Sequence, residues 1–144
     1  MATVNVYLNF KGNCKEAFDF YKSVFGGEYP YIGTFGEMPP SNDMPPIAPE
    51  DKDKIMHVTL PISNETCLMG SDTIGVHSND FTMGNNYAVS INANSRQEAD
   101  QLFDGLSNGG VVTMPMTNTF WGAYFGMFTD KFGINWMVNY DEQP

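Results

Sequence analysis

The sequence predicts an α+β fold in which one βαβββ module is written twice, and three observations carry that prediction. First, an alternating strand, a capping-box tetrapeptide, an apolar helical stripe and a Gly-Gly pair recur in the same order in both halves of the chain. Second, each Gly-Gly pair is followed by three strand-like segments. Third, each module has a single helix, which can cover only one face of its sheet, so the uncovered apolar faces must find a partner. The expected product is one domain over residues 1–144, made of modules at about 1–72 and 86–141. The modules pair into curved mixed sheets around a cleft, with the helices outside.

Residues 4–10, VNVYLNF, put Val4, Val6, Leu8 and Phe10 on one face and Asn5, Tyr7 and Asn9 on the other, the period of a half-buried strand. Asn13-x-x-Glu16 reads as a capping box, and Ala17, Phe18, Tyr21, Val24 and Phe25 form the stripe of a helix that Gly26-Gly27 ends. Strands are expected at 28–37, 55–62 and 66–71. Between the first two lies 38–53, with five of the nine prolines, which can continue neither a helix nor a central strand and is read as a long surface loop. A polar stretch, 72–86, joins the copies.

The second copy opens with a strand at Tyr87–Ala93, the capping box Ser95-x-x-Glu98 and the stripe Ala99, Leu102, Phe103, Leu106, closed by Gly109-Gly110. Strands follow at 111–116, 121–129 and 134–140. The last two contain TFWGAYFGMFTDKFGINWMVNYD, which lacks helical spacing and is rich in aromatic strand formers. It reads as a hairpin turning at Thr129–Gly133, with Asp130 bonding its local backbone and Gly133 taking a positive φ.

Seven Lys+Arg against 17 Asp+Glu give a formal net charge of −10, which argues against nucleic acid and anionic membranes as partners. The opening MATVNVYLNF has no basic n-region or long apolar h-region, and no apolar run reaches the ~18 residues of a membrane span, so a cytoplasmic protein is expected. Cys14 and Cys67 lack CxxC spacing and are read as free thiols.

The stretches Tyr7-Leu8-x-Phe10-x-Gly12-Asn13, Glu16-Ala17-x-x-Phe20-Tyr21, Phe25-Gly26-Gly27, Phe35-Gly36-Glu37-Met38-Pro39 and Thr119-Phe120-Trp121-Gly122 resemble one protein family. So does Phe125-Gly126-x-x-Thr129-Asp130-Lys131-Phe132-Gly133-x-x-Trp136-Met137. The family is the PhnB-like branch of the vicinal-oxygen-chelate superfamily, which groups glyoxalases, bleomycin-resistance proteins and extradiol dioxygenases. The resemblance implies the glyoxalase/bleomycin-resistance fold of paired βαβββ modules and a homodimer. Some branch members carry a methyltransferase name, but this chain has no Gly-rich strand-to-helix nucleotide loop.

The resemblance also implies a place for a metal. In metal-dependent relatives one ligand, typically His or Glu, comes from the first and one from the last strand of each module. Here those positions fall on Asn5 or Val6, Met69, Tyr87 or Ala88, and Met137. Neutral amides, thioethers and alkyl groups do not supply the charge a divalent ion needs, so no metal or other cofactor is expected.

His57 shares a strand face with Thr59, with Met56, Val58, Leu60 and Ile62 on the other face. Glu37, at the end of the preceding strand, is close enough in sequence logic to form an acid-base pair with it, although a structural histidine is the plainer reading. His77 falls in the connecting stretch and reads as a solvated loop residue. The residues expected to line a ligand cleft are Asn5, Tyr7, His57, Met69, Trp121, Phe125, Met127 and Met137, a set suited to an apolar or aromatic small molecule. The first expectation is therefore a small-molecule-binding protein without the superfamily metal. The alternative is an isomerase, lyase or dioxygenase-type enzyme using His57 with Glu37 or a displaced divalent metal.

Overall fold

In the computed structural model, which describes residues 2–39, 43 and 45–142, the strand-helix-strand order appears in each half of the chain. The expected loop 38–53 falls partly outside the described residues. The backbone divides into two compact units, Met1–Thr82 and Met83–Pro144. No helix among the described residues is long and apolar enough to cross a membrane.

The first unit runs β1 (Val6–Phe10), α1 (Cys14–Phe25), β2 (Tyr31–Thr34), β3 (Ile55–Pro61), β4 (Cys67–Asp72) and a short α2 (Val76–Asn79). Its four strands lie in the order β1-β4-β3-β2, with β1 parallel to β4 and the other pairs antiparallel. The second unit runs β5 (Val89–Asn92), α3 (Arg96–Ser107), β6 (Val111–Asn118), β7 (Ala123–Thr129) and β8 (Asn135–Asp141). Its order is β5-β8-β7-β6, again with one parallel pair, β5 and β8. Each unit is thus βαβββ with a mixed sheet, as the sequence predicts for an α+β chain.

One helix packs on one face of each sheet, and the alternation of the strands decides which residues it meets. In the first unit Leu8, Phe10, Val58, Leu60 and Leu68 are buried together with Cys14, Ala17, Phe18 and Tyr21 of α1. Phe18 stands edge-on to Phe10 and to Tyr21, with ring centroids at 6.1 and 5.5 Å. In the second, Ala99, Phe103 and Leu106 of α3 are buried with Tyr124, Phe128, Trp136 and Val138. Phe103 meets Phe128 edge-on at 5.1 Å, and Phe128 stacks on Trp136. Each of these buried rings stabilises its unit by about 1.5–3 kcal/mol.

A glycine makes room for the helix aromatic in each sheet. A Cβ on Gly70 would lie 2.6 Å from Cε1 of Phe18, and one on Gly126 would lie 2.8 Å from Cε2 of Phe103.

The structure corrects the sequence expectation at several points. Asn13 makes no side-chain cap on α1. Asp72, 58 residues on, accepts from the Cys14 backbone N–H at 2.9 Å in its place. Ser95 does cap α3, accepting from the Glu98 N–H at 3.0 Å, while Glu98 reaches back to the N–H of Asn94. The strand expected at 28–37 is only Tyr31–Thr34; Phe35–Glu37 turn into a 3₁₀ segment, in which the Phe35 and Gly36 N–H groups find the Lys54 and Lys52 carbonyls and the Thr34/Glu37 box closes. Residues 119–122 form a turn that includes Gly122 at φ +90, so β7 starts at Ala123. The Asp130 turn forms as expected: its Oδ1 accepts from Phe132 and Ile134 N–H, and Gly133 has φ +90.

Candidate functional site

Because α1 and α3 each cover one face, each sheet keeps a second face whose residues are set by register. In the first sheet one cross-strand row reads Tyr7, Met69, Thr59, Tyr31 across β1, β4, β3 and β2. His57 belongs to the neighbouring row, opposite Gly33. A bulge at Gly33/Thr34 pairs Thr34 with Ile55, which puts Ile55 in the core and leaves Met56 half-buried. This overturns the expectation that Met56 shares a face with Val58: the extra residue resets the alternation before His57.

His57 is the centre of this face. Its Nδ1 lies 3.2 Å from Tyr7 Oη and its Nε2 lies 2.9 Å from Thr59 Oγ1. The rings of Tyr7 and Tyr31 flank it, with centroids at 5.6 and 5.9 Å. Glu37 is not its partner. The carboxylate sits in the 3₁₀ segment and accepts from the Thr34 N–H and hydroxyl at 3.4 and 3.1 Å, so the expected His57/Glu37 acid-base pair does not form. The motif Thr34-x-x-Glu37 is itself a capping box, and that signal could have withdrawn Glu37 from the candidates.

Asn5 lies just ahead of β1, and its Oδ1 accepts from the Cys67 N–H at 3.0 Å. Met69 is half-buried between Tyr7 and Thr59 in the row. His77 is exposed in α2 and makes no hydrogen bond among the described residues.

In the second sheet the corresponding row reads Ser90, Met137, Met127, Met114 across β5, β8, β7 and β6. The next row reads Asn92, Asn139, Phe125, Thr117. Phe125, Met127 and Met137 are half-buried. Trp121, in the turn before β7, lies edge-on to Phe125 at 6.4 Å and to Phe120 at 5.0 Å. The sequence-predicted residues therefore fall on two faces, Asn5, Tyr7, His57 and Met69 on the first sheet and Trp121, Phe125, Met127 and Met137 on the second. Sequence reasoning missed Tyr31 and Met114, because only the register of the edge strands β2 and β6 brings them into these rows.

Among the described residues, several groups away from these two faces have ionisation moved by their surroundings. Burial first, then Asp72, pushes the Cys14 thiol far above its ordinary range. Burial, with the bond to Asp19, raises Tyr29. Asp19 is itself lowered: its partial burial acts upward but is outweighed by the bonds from Lys15 and Tyr29. Bonds to Asp100 and Asp51 raise Tyr124 and Lys54.

The positions that the family resemblance marks for a divalent ion offer poor donors. Asn5 Oδ1 is engaged by Cys67, and Met69 and Met137 present thioethers. The Tyr87 hydroxyl accepts from the Asn135 N–H at 3.4 Å. Among the described residues no three His, Cys, Asp or Glu side chains gather. Both nitrogens of His57 already have partners. These residues do not fit a hard divalent cation, which needs several carboxylate or imidazole ligands together.

Residues 3–138 match the family model described as the Glyoxalase/Bleomycin resistance protein/Dioxygenase superfamily. The chain is 32% identical over 142 residues to Protein YjdN of Escherichia coli (strain K12), covering 95% of this chain and 94% of that protein. The solved structure of protein PA1353 from Pseudomonas aeruginosa is 38% identical, covers 99% of this chain and all of that one, and superposes with a TM-score of 0.80. The PhnB protein from Bacillus cereus, at 24% identity over 96% of this chain and 99% of that one, shares the fold with a TM-score of 0.73.

Proposed function

This chain is a PhnB/YjdN-like protein that belongs to the glyoxalase/bleomycin resistance protein/dioxygenase superfamily, and we propose that it binds a small apolar or aromatic molecule on the second sheet, without the superfamily's metal. One observation carries the reading. Met114, Met127 and Met137 occupy consecutive strands of a single row, with Phe125 in the adjoining row and Trp121 edge-on to it. Thioethers on unbranched side chains adapt to irregular shapes, and the aromatic edges and faces beside them supply oriented contacts. Asn5, Tyr7, His57 and Met69 lie in the first unit, whose sheet face has a different, hydroxyl-bearing chemistry. The same reading includes a cytoplasmic protein and a homodimer; sedimentation at twice the chain mass is expected, and a monomer would overturn the latter.

The two tryptophans make the test direct, since Trp136 is 1% exposed and Trp121 is 57% exposed. Titration with a neutral aromatic probe, 1-naphthol, should quench Trp121 saturably. Met127→Ala combined with Met137→Ala should weaken binding about 10-fold or more, the equivalent of ~1.4 kcal/mol. Absence of saturable quenching, or an unchanged Kd in the double variant, refutes the assignment to this face. Elemental analysis of the purified protein should find zinc, manganese, nickel and iron well below one per chain. One equivalent that is lost in His57→Ala would overturn the metal-free reading.

A further inference from the structure

The face of the first sheet contains an arrangement that ligand binding on the second does not use. His57 lies between two tyrosine rings on the middle of the sheet, and its two nitrogens face two hydroxyls, Tyr7 Oη and Thr59 Oγ1. With Nδ1 as acceptor and Nε2–H donating to Thr59, the Tyr7 phenol donates to the imidazole, and Thr59 holds that tautomer. Tyr7 is 45% exposed, so its oxygen is reachable by a ligand while remaining in contact with a base.

Tyr31 completes the arrangement from the other side. Its Oη lies 2.6 Å from the point that a Cβ on Gly33 would occupy, so its ring can lie across β2 toward His57 only because residue 33 has no side chain. The Tyr31 hydroxyl has no hydrogen-bond partner among the described residues, and the residue is 49% exposed. A free phenol donor therefore stands on one side of the imidazole and a phenol coupled to it on the other. The strand residues that the register places on this face, among them Tyr7, Tyr31, His57, Thr59, Cys67 and Met69, include no carboxylate, lysine or arginine. That composition, in a chain of net charge −10, selects a neutral molecule.

We propose that Tyr7, His57 and Tyr31 form a metal-free proton-transfer site that enolises a small neutral carbonyl compound. The Tyr31 hydroxyl donates to the carbonyl oxygen. The Tyr7 proton passes from Oη to Nδ1 of His57, breaking an O–H and forming an N–H bond. The phenolate oxygen then takes the proton from the carbon next to the carbonyl. The C–H electron pair becomes the carbon-carbon double bond, and the carbonyl π pair moves to the oxygen held by Tyr31. Return of a proton to either end of the enolate, with His57 giving its proton back to Tyr7, closes the cycle with no oxidant or reductant. Thr59 is a positioning residue, since it fixes the imidazole and touches no substrate.

The experiment follows exchange of the benzylic protons of phenylacetone for deuterium in D₂O by proton NMR, with the native protein as catalyst. Exchange should exceed that with heat-denatured protein, should fall about 100-fold in Tyr7→Phe and in His57→Gln, and should be unchanged in Glu37→Gln. Tyr31→Phe should chiefly lower the rate at saturation, and Thr59→Val should shift the pH profile rather than abolish exchange. A native rate no higher than that of the denatured protein overturns the proposal, and so does a folded Tyr7→Phe as active as the parent. Should Tyr7→Phe or His57→Gln fail to fold by circular dichroism, the parent protein decides. Phenylacetone must then shift the imidazole ¹⁵N signals of His57 but not those of His77, and an unmoved His57 overturns the site. Every residue used lies in the first unit, so this test can fail while quenching of Trp121 by 1-naphthol succeeds, and the reverse.

Discussion

Replacing Asp72 by alanine should destabilise the first unit more than any other single polar change in it. Asp72 ends β4, is 4% exposed, and accepts three backbone N–H bonds, from Gly12 at 3.0 Å, Cys14 at 2.9 Å and Ile55 at 2.8 Å. One carboxylate therefore ties together the β1–α1 turn, the first turn of α1 and the start of β3. Alanine leaves all three donors without an acceptor, at roughly 1–3 kcal/mol for each one that stays buried. Gly12 is exposed and regains water, so Cys14 and Ile55 carry the loss, on the order of 2–6 kcal/mol. Against a total of about 5–15 kcal/mol for a domain, that is a large fraction.

At about 2–4 °C per kcal/mol for a chain of this size, a loss near 4 kcal/mol lowers Tm by roughly 8–16 °C. Urea unfolding followed by far-ultraviolet circular dichroism gives the stability. Amide hydrogen exchange at Gly12, Cys14 and Ile55 locates the effect. Asp72→Asn should retain less than half of the lost stability, because its amide NH₂ must face at least one of the same N–H groups. A destabilisation by Asp72→Ala of less than about 1 kcal/mol, with those three amides exchanging as before, would refute the reasoning.

Two further predictions test the packing. A thiol reagent such as DTNB should modify one cysteine per native chain, since Cys67 is partly accessible whereas Cys14 is 0% exposed and its thiol is pushed up by burial. Cys67→Ser should abolish the fast phase, and fast labelling of Cys14 would contradict the packing of α1. Gly126→Ala should cost about 1–3 kcal/mol by urea unfolding, because its Cβ would lie 2.7 Å from Met116 Sδ, 2.8 Å from Phe103 Cε2 and 3.1 Å from the Met114 carbonyl oxygen. A neutral substitution would mean that α3 can move off its sheet without loss.

Much of the fold is legible in the sequence because its determinants are local and periodic. The stripe Ala17, Phe18, Tyr21 and the alternation Leu8, Phe10 give α1 and β1 with the correct buried faces. The Asp130 turn is legible for the same reason, its carboxylate bonding residues 132, 134 and 136 close by in sequence. What is lost is non-local or depends on one extra residue. No window of sequence could assign Asp72 to the N-terminus of α1, 58 residues away. The bulge opposite Gly33 inserts one residue, and every alternation argument that runs through Met56 to His57 fails at that point. A Glu37 partner for His57 needs a strand that runs to residue 37, but β2 ends at Thr34 and the carboxylate bonds the Thr34 hydroxyl.

The two sheets also show where identity and function separate in a duplicated module. Strand order and register make the row Tyr7, Met69, Thr59, Tyr31 equivalent to the row Ser90, Met137, Met127, Met114. On the helix side both copies keep one chemistry, buried aliphatic and aromatic groups around Phe18 and Phe103, although the glycine that makes room for the ring lies on β4 in the first sheet and on β7 in the second. On the other side only the methionine of the last strand is common to both rows. The first row has three hydroxyls grouped about His57, and the second has three thioethers beside Phe125. Packing constrains the helix side of both copies in the same way, because a lost methylene or an added one is felt there at once. No such constraint acts on the other side, so its divergence into a hydroxyl-bearing face and a thioether-bearing face is where selection for a ligand can act, and the variants that test function belong there.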